Sequence, residues 1–421
     1  MHIVQLISAY GPQYIGNEIH GELARAIIAR GHRYSVITMG GAKAKRGLRI
    51  WDDKGVTVYE LGQGRDFLAR AEGALSTRIF HYQPFLFMLR SYGPLLMSKL
   101  RDVDLVLVEG GYPLGSVAAL WQPILRKPLA VVLQGGDMHR EDAANYGFGR
   151  YPIARRLLAM TLQRSVLLRT YSQLASDAAI ERGADPAKIA VVAQNIGEVC
   201  YPPSDEDLAS YRQRVRAEIR ERYKLTAPHL LITMGRLLPI KGFDGLIRSL
   251  PAAFERLGAP IDVLICGPSR PVPGIGDYRE YLEKLAKECE VADYVHFVGE
   301  LPHEHVRDHL AAADALAVPS VMEGGAKVVM EAAAVGTPFV ATETAGTPAF
   351  LPDAGLTTPP IAKAPNAFSN ALAVIFGNDD LRARLAQRAY EEGPRFSAEE
   401  RAKELLPLYL RAAGLANGEP R

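Results

Sequence analysis

Short apolar runs separated by amphipathic helical stretches recur along the whole chain, and that alternation is its strongest constraint. In the first half the runs fall at 3–7, 34–38, 56–59, 105–108, 129–133, 166–171 and 189–192, with helical segments such as 20–30 and 153–163 between them. A strand covered on both faces reads as a continuous apolar run, and parallel strands need a helix to carry the chain back. A second series begins at 230–233 and continues at 263–265, 295–298, 315–318, 339–341 and 356–357. Between the two series lies 195–223, with Pro202-Pro203 followed by a charge-rich helical stretch at 205–222. A chain of 421 residues exceeds one ordinary core, so two doubly wound α/β domains are expected. Ligands of such sheets bind outside the carboxyl ends of the strands. The expected divisions are 1–198, 199–395 and a closing segment 396–421, whose amphipathic helix (Ala402, Leu405, Leu406, Leu408, Tyr409) is interrupted by Pro407.

Net charge is +2, but residues 1–198 hold 24 Lys and Arg against 17 Asp and Glu, a surplus of 7. A basic first half attracts something anionic: a phosphorylated substrate, an acidic polymer or a membrane surface. The charges are scattered rather than blocked, and no nucleic-acid partner is expected. Cys200, Cys266 and Cys289 have neither close spacing nor accompanying histidines in sequence, which argues against a disulfide framework or a zinc site and for a reducing compartment. The opening MHIVQLISAYG lacks the basic leader and long apolar run of a signal peptide. No stretch reaches the roughly 18 apolar residues of a spanning helix; the richest, 84–97, is broken by Arg90 and Gly93-Pro94. A cytoplasmic protein is expected.

The chemistry concentrates at 317–350. An apolar strand runs into Pro319-Ser320, then Glu323, Gly324-Gly325, a helix carrying Glu331, and Gly336-Thr337-Pro338 before the next strand. Gly past a helix and Pro just beyond it are stop signals. The two carboxylates, eight residues apart, flank a helix N-terminus. Backbone N–H groups there suit phosphate or sugar oxygens, and the Glu side chains can accept from hydroxyls. Read singly, Glu323 is a solvated loop residue and Glu331 a complement to the helix dipole; the ordered series favours the ligand reading.

Residues 234–242, MGRLLPIKG, place Arg236 and Lys241 on one strand-to-helix loop between Gly235 and Gly242. Arg can bind a diphosphate in a fork while Lys supplies a mobile point charge. The P-loop spacing is absent. The loop at 8–20, with Gly11, Pro12 and Gly16, lacks a dinucleotide fingerprint but can bring amides near the same phosphates.

Together these elements resemble the retaining glycosyltransferases of family 4, across nearly the whole chain. The resemblance includes Arg30-Gly31-His32 before the second strand, Asn195-Ile196-Gly197, GRLLPIKGFDGLI, VHFVGELP at 295–302 and the Glu-x7-Glu pair. It implies the GT-B fold, two Rossmann-like doubly wound domains with an interdomain cleft, the last segment crossing back to the first domain. It further implies that Arg236 and Lys241 hold the donor diphosphate, that Glu323 faces the transferred sugar, and that Glu331 binds the ribose diol. Gly235, Gly324, Gly325, Ala326, Lys327 and Val328 would complete the donor site, with Gly16 against the diphosphate from the first domain. The expected reaction moves a hexose from a UDP- or GDP-linked donor to a hydroxyl of a glycan, lipid or small molecule. No metal or other cofactor is expected. The leaving phosphate would take the acceptor's proton on the same face.

Three departures stand out. Where many members carry His after the strand reading AVVLQGGD, this chain has Gln134, with Asp137 and His139 as further candidate acceptor or sugar contacts. The first-loop Gly-Gly pair is Gly16-Asn17, and Glu-Gly-Phe-Gly becomes Glu323-Gly324-Gly325-Ala326, without the aromatic wall. Other functions for such an architecture are a sugar-nucleotide epimerase or a non-catalytic sugar-binding protein. Peripheral membrane association at the inner face is a further expectation. It rests on 150–170, where Arg150, Arg155, Arg156, Arg164 and Arg169 stand beside Leu and Met. Such a stretch either lies on an anionic bilayer or packs as a core helix with a solvated basic face, the second being favoured.

Overall fold

The computed structural model describes residues 1–11, 14, 17–41, 44–138 and 147–415. Two compact units divide the chain: Met1–Asn195 with Ala398–Arg421, and Ile196–Ser397.

The first unit carries β1 (His2–Ile7), β2 (Arg33–Met39), β3 (Gly47–Asp53), β4 (Val56–Gly62), β5 (Leu105–Glu109), β6 (Leu129–Leu133), β7 (Leu167–Thr170) and β8 (Ile189–Val191). They form one sheet in the order β3-β4-β2-β1-β5-β6-β7-β8. Every pairing is parallel except β3 with β4. All residues of β1, β5 and β6 are buried, as continuous apolar runs require. Alternate side chains feed two cores. Val4, Leu6, Val106 and Val108 pack with Phe85, Met88 and Leu96 of the Phe85–Lys99 helix. Ile3, Leu105 and Leu107 pack with Leu23 and Ile27 of the Glu18–Ile28 helix and with Ala402, Leu405 and Tyr409 of the Ala398–Ala412 helix. The closing helix therefore belongs to this unit's core. The 84–97 stretch, apolar enough to draw notice, is a core helix. No helix among the described residues is long and apolar enough to cross a membrane.

The second unit carries β9 (His229–Met234), β10 (Ile261–Cys266), β11 (Pro271–Val272), β12 (Gly276–Asp277), β13 (Val295–Gly299), β14 (Ala315–Val318), β15 (Phe339–Thr342) and β16 (Gly355–Thr358). Six of them make a wholly parallel sheet in the order β13-β10-β9-β14-β15-β16, while β11 and β12 pair by themselves. Strand order reverses between β9 and β14, which are neighbours in the sheet, so the loops leaving them sit side by side at its carboxyl edge. The entry helix, expected at 205–222, runs Leu208–Tyr223 because the Asp207 carboxylate accepts from the Ala209 and Ser210 amides, fixing its start.

Strand β3 has no apolar run, because its side chains are mostly exposed at a sheet edge. The helix after Gly242, Phe243–Leu257, runs on through Pro251. In the arginine-rich Pro152–Arg164 helix, Ala154, Leu158 and Leu162 are buried. Arg155 and Arg164 donate to the carbonyls of Gly149 (3.0 Å) and Ala119 (2.6 Å). That helix is core-packed, as the sequence reading favoured.

Candidate active site

At the reversal point of the second unit, the sheet ends in glycines that let loops approach backbone to backbone. Gly235 donates to the Cys266 carbonyl (2.9 Å), and Gly267 to the Gly299 carbonyl (2.7 Å). A Cβ on Gly267 would sit 1.9 Å from the Gly235 carbonyl oxygen, so no other residue fits there. Strands β9, β10 and β13 all finish this way. Only Gly235 was singled out from the sequence; the same signal, a Gly directly after an apolar run, marks Gly267 and Gly299.

After Gly235 the chain exposes Arg236, which makes no ion pair among the described residues. It then turns through Pro239–Lys241 to Gly242, whose φ of 70° begins the Phe243–Leu257 helix. A Cβ on Gly242 would lie 2.0 Å from the Pro319 carbonyl oxygen. The Val321 amide donates to Ile240 O at 2.9 Å. These contacts lace the β9 and β14 loops together and press the Lys241 ammonium directly onto the Glu323 carboxylate. The Ser320 hydroxyl approaches the same carboxylate oxygen at 3.4 Å. Behind it, the Glu323 amide donates to Thr344 O (3.0 Å) and the Ala326 amide to Ala345 O (3.2 Å). Thus Lys241 and Glu323, expected to grip different parts of one ligand, here grip each other.

The helix Lys327–Ala334 opens at Ala326 without a side-chain cap, leaving its first amides for a ligand. Gly324, Gly325, Lys327 and Val328 are partly exposed at this end. Glu331, one turn in, is 5% exposed. Its side chain points back toward the helix start, where Lys327 Nζ meets Oε1 at 2.9 Å. Gly336, with φ of 68°, ends the helix as its sequence position implies.

The structure corrects one reading outright: Cys200 does have an accompanying histidine. His303 Nε2 lies 3.4 Å from Cys200 Sγ, and the Glu331 carboxylate completes a set of possible metal ligands within 4.8 Å of one another. Sequence separations of 103 and 28 residues hid the grouping. A cation there would have to compete with Lys327 for Glu331.

In the first unit, Gln134 is exposed at the end of β6 and donates from Nε2 to Glu109 Oε2 (3.3 Å). Asp137 turns inward: its Oδ2 accepts from the amides of Gly111 (2.6 Å) and Gln134 (3.0 Å). Burial pushes its carboxyl up to about 7, against those amides, with the Glu109 charge adding to the rise. Glu109 itself gathers Gln5 Nε2 (2.9 Å) and the Tyr171 hydroxyl (3.5 Å), and Gln5 Nε2 also meets His20 Nδ1 at 3.2 Å. This buried polar cluster sits where β1 and β5 lie side by side, at the strand-order reversal of the first sheet. The lone Gln in IVQLI and the Glu closing LVLVE were its only sequence signals. Tyr10 and Tyr112 are buried, with hydroxyls on Asp53 (2.7 Å) and the Phe80 carbonyl, and offer no open ring face for stacking on a sugar. Gly16 and His139 lie outside the described residues.

Two domain families account for the two units. Residues 17–194 match the glycosyl transferase 4-like domain, and residues 215–392 match glycosyl transferases group 1. With the two parallel sheets, these matches define a chain of GT-B glycosyltransferase architecture. The first match lies within the first unit and the second within the second unit. Sucrose-phosphate synthase from Thermosynechococcus elongatus shares the fold over 99% of this chain and 100% of its own, with a TM-score of 0.73 and 18% identity. The D-inositol 3-phosphate glycosyltransferase of Corynebacterium glutamicum (strain R) is 33% identical over 228 residues, covering 54% of this chain and 52% of the relative. A GDP-mannose-dependent alpha-(1-6)-phosphatidylinositol monomannoside mannosyltransferase of Mycobacterium tuberculosis (strain ATCC 25618 / H37Rv) is 34% identical over 157 residues, 35% of this chain and 39% of the relative. The chain thus spans about half the length of the first of these curated relatives and less of the second.

Proposed function

We propose that the protein is a retaining, family 4 glycosyltransferase that moves a hexose from a nucleotide-diphosphate sugar to an acceptor hydroxyl. The observation that carries this reading is the convergence of Arg236, Lys241, Glu323 and the Lys327–Ala334 helix start at the strand-order reversal of the second unit. On this reading Arg236 and Lys241 stabilise the charge that grows on the leaving diphosphate, where fixed cations help most. Glu323 accepts from the sugar's hydroxyls and Glu331 from the ribose diol. As the anomeric bond to phosphate breaks, the acceptor oxygen bonds to the same face and its proton passes to the departing phosphate. Atoms and charge balance without a protein nucleophile or metal. The acceptor side is assigned to the first unit, with Gln134 as the candidate contact. Names of the relatives favour a GDP-linked donor and a phosphorylated polyol or lipid acceptor, with UDP the alternative nucleotide.

Calorimetric titration with UDP, GDP and ADP tests the donor half. Binding by at least one is expected, weakened roughly tenfold or more in Glu331→Ala by loss of a charged hydrogen bond; no binding by any of the three refutes it. Product analysis with a nucleotide sugar and no acceptor separates transfer from the epimerase reading, since formation of an epimer overturns the proposal.

A further inference from the structure

Cys200, His303 and Glu331 all belong to the second unit, and three packed elements bring them together. Cys200 ends the Glu198–Cys200 turn, His303 begins the His303–Ala312 helix, and Glu331 sits one turn into the Lys327–Ala334 helix. Arg307 of the middle helix donates from Nη1 to the Tyr201 carbonyl (3.2 Å), pinning the turn against it. The Thr337 hydroxyl, just past the third element, donates to the Leu310 carbonyl (2.7 Å) and ties that helix to the same neighbour. The three side chains therefore meet on a fixed frame.

The donor set is chemically specific. Cys200 and Glu331 are 1% and 5% exposed, while His303 is only partly buried, so solvent reaches the group from its side. Glu331 Oε1 accepts no hydrogen bond, although the Lys327 ammonium stands 2.9 Å away. Around a tetrahedral zinc ion, sulfur, nitrogen and oxygen ligands stand about 3.3–3.6 Å apart. Cys200 Sγ and His303 Nε2 are already 3.4 Å apart, and the three donor atoms lie within 4.8 Å of one another. A thiol hydrogen-bonded to an imidazole accounts for the first distance by itself. The added carboxylate completes a mixed sulfur, nitrogen and oxygen set, which suits zinc with a fourth position open and does not suit magnesium or calcium. Thiolate and carboxylate together cancel the two charges of the ion, so the occupied site is neutral where it is buried.

We propose that Cys200, His303 and Glu331 bind a zinc ion, and that zinc bound there shuts the donor site. On binding, the Cys200 S–H bond breaks and its proton passes to solvent. The sulfur, His303 Nε2 and a Glu331 oxygen then replace waters on the ion, Lys327 gives up Glu331, and nothing is oxidised or reduced. The metal site stands on its own geometry; its effect on the donor rests on the assignment of Glu331 to the ribose diol. A carboxylate held by zinc is no longer placed to accept from ribose hydroxyls, so metal and nucleotide exclude each other.

Cobalt titration of the full chain, stripped of metal with EDTA and dialysed, tests the site directly. One ion per chain should bind with the near-ultraviolet band of a thiolate–cobalt bond and the visible bands of a four-coordinate ion, and zinc should displace it. Cys200→Ser should lose the near-ultraviolet band, His303→Ala should weaken cobalt at least about tenfold, and Cys289→Ser should change neither. In calorimetry, saturating zinc should weaken GDP or UDP at least about tenfold, and the nucleotide should weaken zinc by the same factor. Cys200→Ser in the same solutions corrects for zinc chelated by the nucleotide itself and should escape the effect. The proposal is overturned if no cobalt band appears, if the band survives Cys200→Ser, or if zinc and nucleotide bind together. A chain that shows the band yet binds no nucleoside diphosphate refutes the donor reading and upholds the metal site.

Discussion

Glu323→Gln separates two roles that the ion pair joins. In the free protein Lys241 is held by Glu323, with the two side chains 21% and 18% exposed, so a diphosphate must draw the ammonium away from an internal carboxylate. A partly buried pair of this kind contributes on the order of 0.5–1.5 kcal/mol net. Removing the carboxylate charge lifts that competition. A free nucleoside diphosphate, with no sugar to use Glu323, should therefore bind the variant about 2- to 10-fold more tightly. Lys241→Ala removes a charge-assisted bond to phosphate worth roughly 1.5–3 kcal/mol, and should weaken the same ligand about 10- to 100-fold. Turnover should fall in both variants, since Glu323 is assigned to the sugar rather than to the phosphates. Calorimetry with the best-binding diphosphate, run beside rate measurements with the intact sugar nucleotide, reads both effects. Were Glu323→Gln to weaken diphosphate binding as much as Lys241→Ala does, Glu323 could not be a competitor for Lys241 and the division of roles would fail.

Other outcomes follow from single contacts. Gly242→Ala should cost roughly 3 kcal/mol or more in urea unfolding, because its Cβ would meet Pro319 O at 2.0 Å as well as requiring a left-handed φ. Gly258→Ala has nearly the same φ (72° against 70°) and open space around it; it should cost only about 1 kcal/mol, and equal losses would discount the loop-to-loop contact. Asp137 keeps its proton in the fold up to about neutrality but would lose it near the usual carboxylate range when unfolded. Stability should accordingly fall as pH rises from about 4 to about 7, by at most on the order of 4 kcal/mol. Asp137→Asn preserves an oxygen acceptor for both backbone amides and should flatten that slope; an unchanged slope in unfolding curves assigns it elsewhere. Treatment with EDTA should leave turnover unchanged, and a loss restored by zinc would assign the Cys200–His303–Glu331 set to a bound metal.

The fold and the conformation of the loops after β9 and β14 were legible because their signals are local. The apolar runs at 315–318 and 129–133 became strands with those same limits, since both sheet faces are covered and only apolar residues serve. Glycines directly after strands, and the Gly-Thr-Pro stop at 336–338, reflect backbone geometry that few other residues can adopt. Strand β3 escaped notice because an edge strand with exposed side chains needs no apolar pattern at all. That Phe67, Leu68 and Leu75 of the Phe67–Phe80 helix face outward escaped for the opposite reason. Periodicity tells which residues share a face but not whether that face meets a core, and Ala69, Gly73 and Ser76 are too small to read as the buried side.

What sequence could least supply was the pairing of functional groups with one another. Arg236, Lys241, Glu323 and Glu331 can be named from motifs, yet nothing in a motif says that Lys241 would neutralise Glu323 or that Lys327 would neutralise Glu331. Those pairs arise because strand order brings the β9 and β14 loops side by side, and because residues four apart on a helix share one face. The consequence is chemical. A site built to bind a polyanion, if left with two bare lysines, would repel its own cations and hold any small anion. By pairing each lysine with the carboxylate assigned to the ligand's hydroxyls, the unoccupied loops stay nearly neutral. A ligand offering phosphates and hydroxyls together can satisfy both partners as it separates them, whereas inorganic phosphate satisfies only the lysines and leaves two carboxylates stranded. On the proposed function, selectivity for a sugar nucleotide over free phosphate would rest on these two ion pairs.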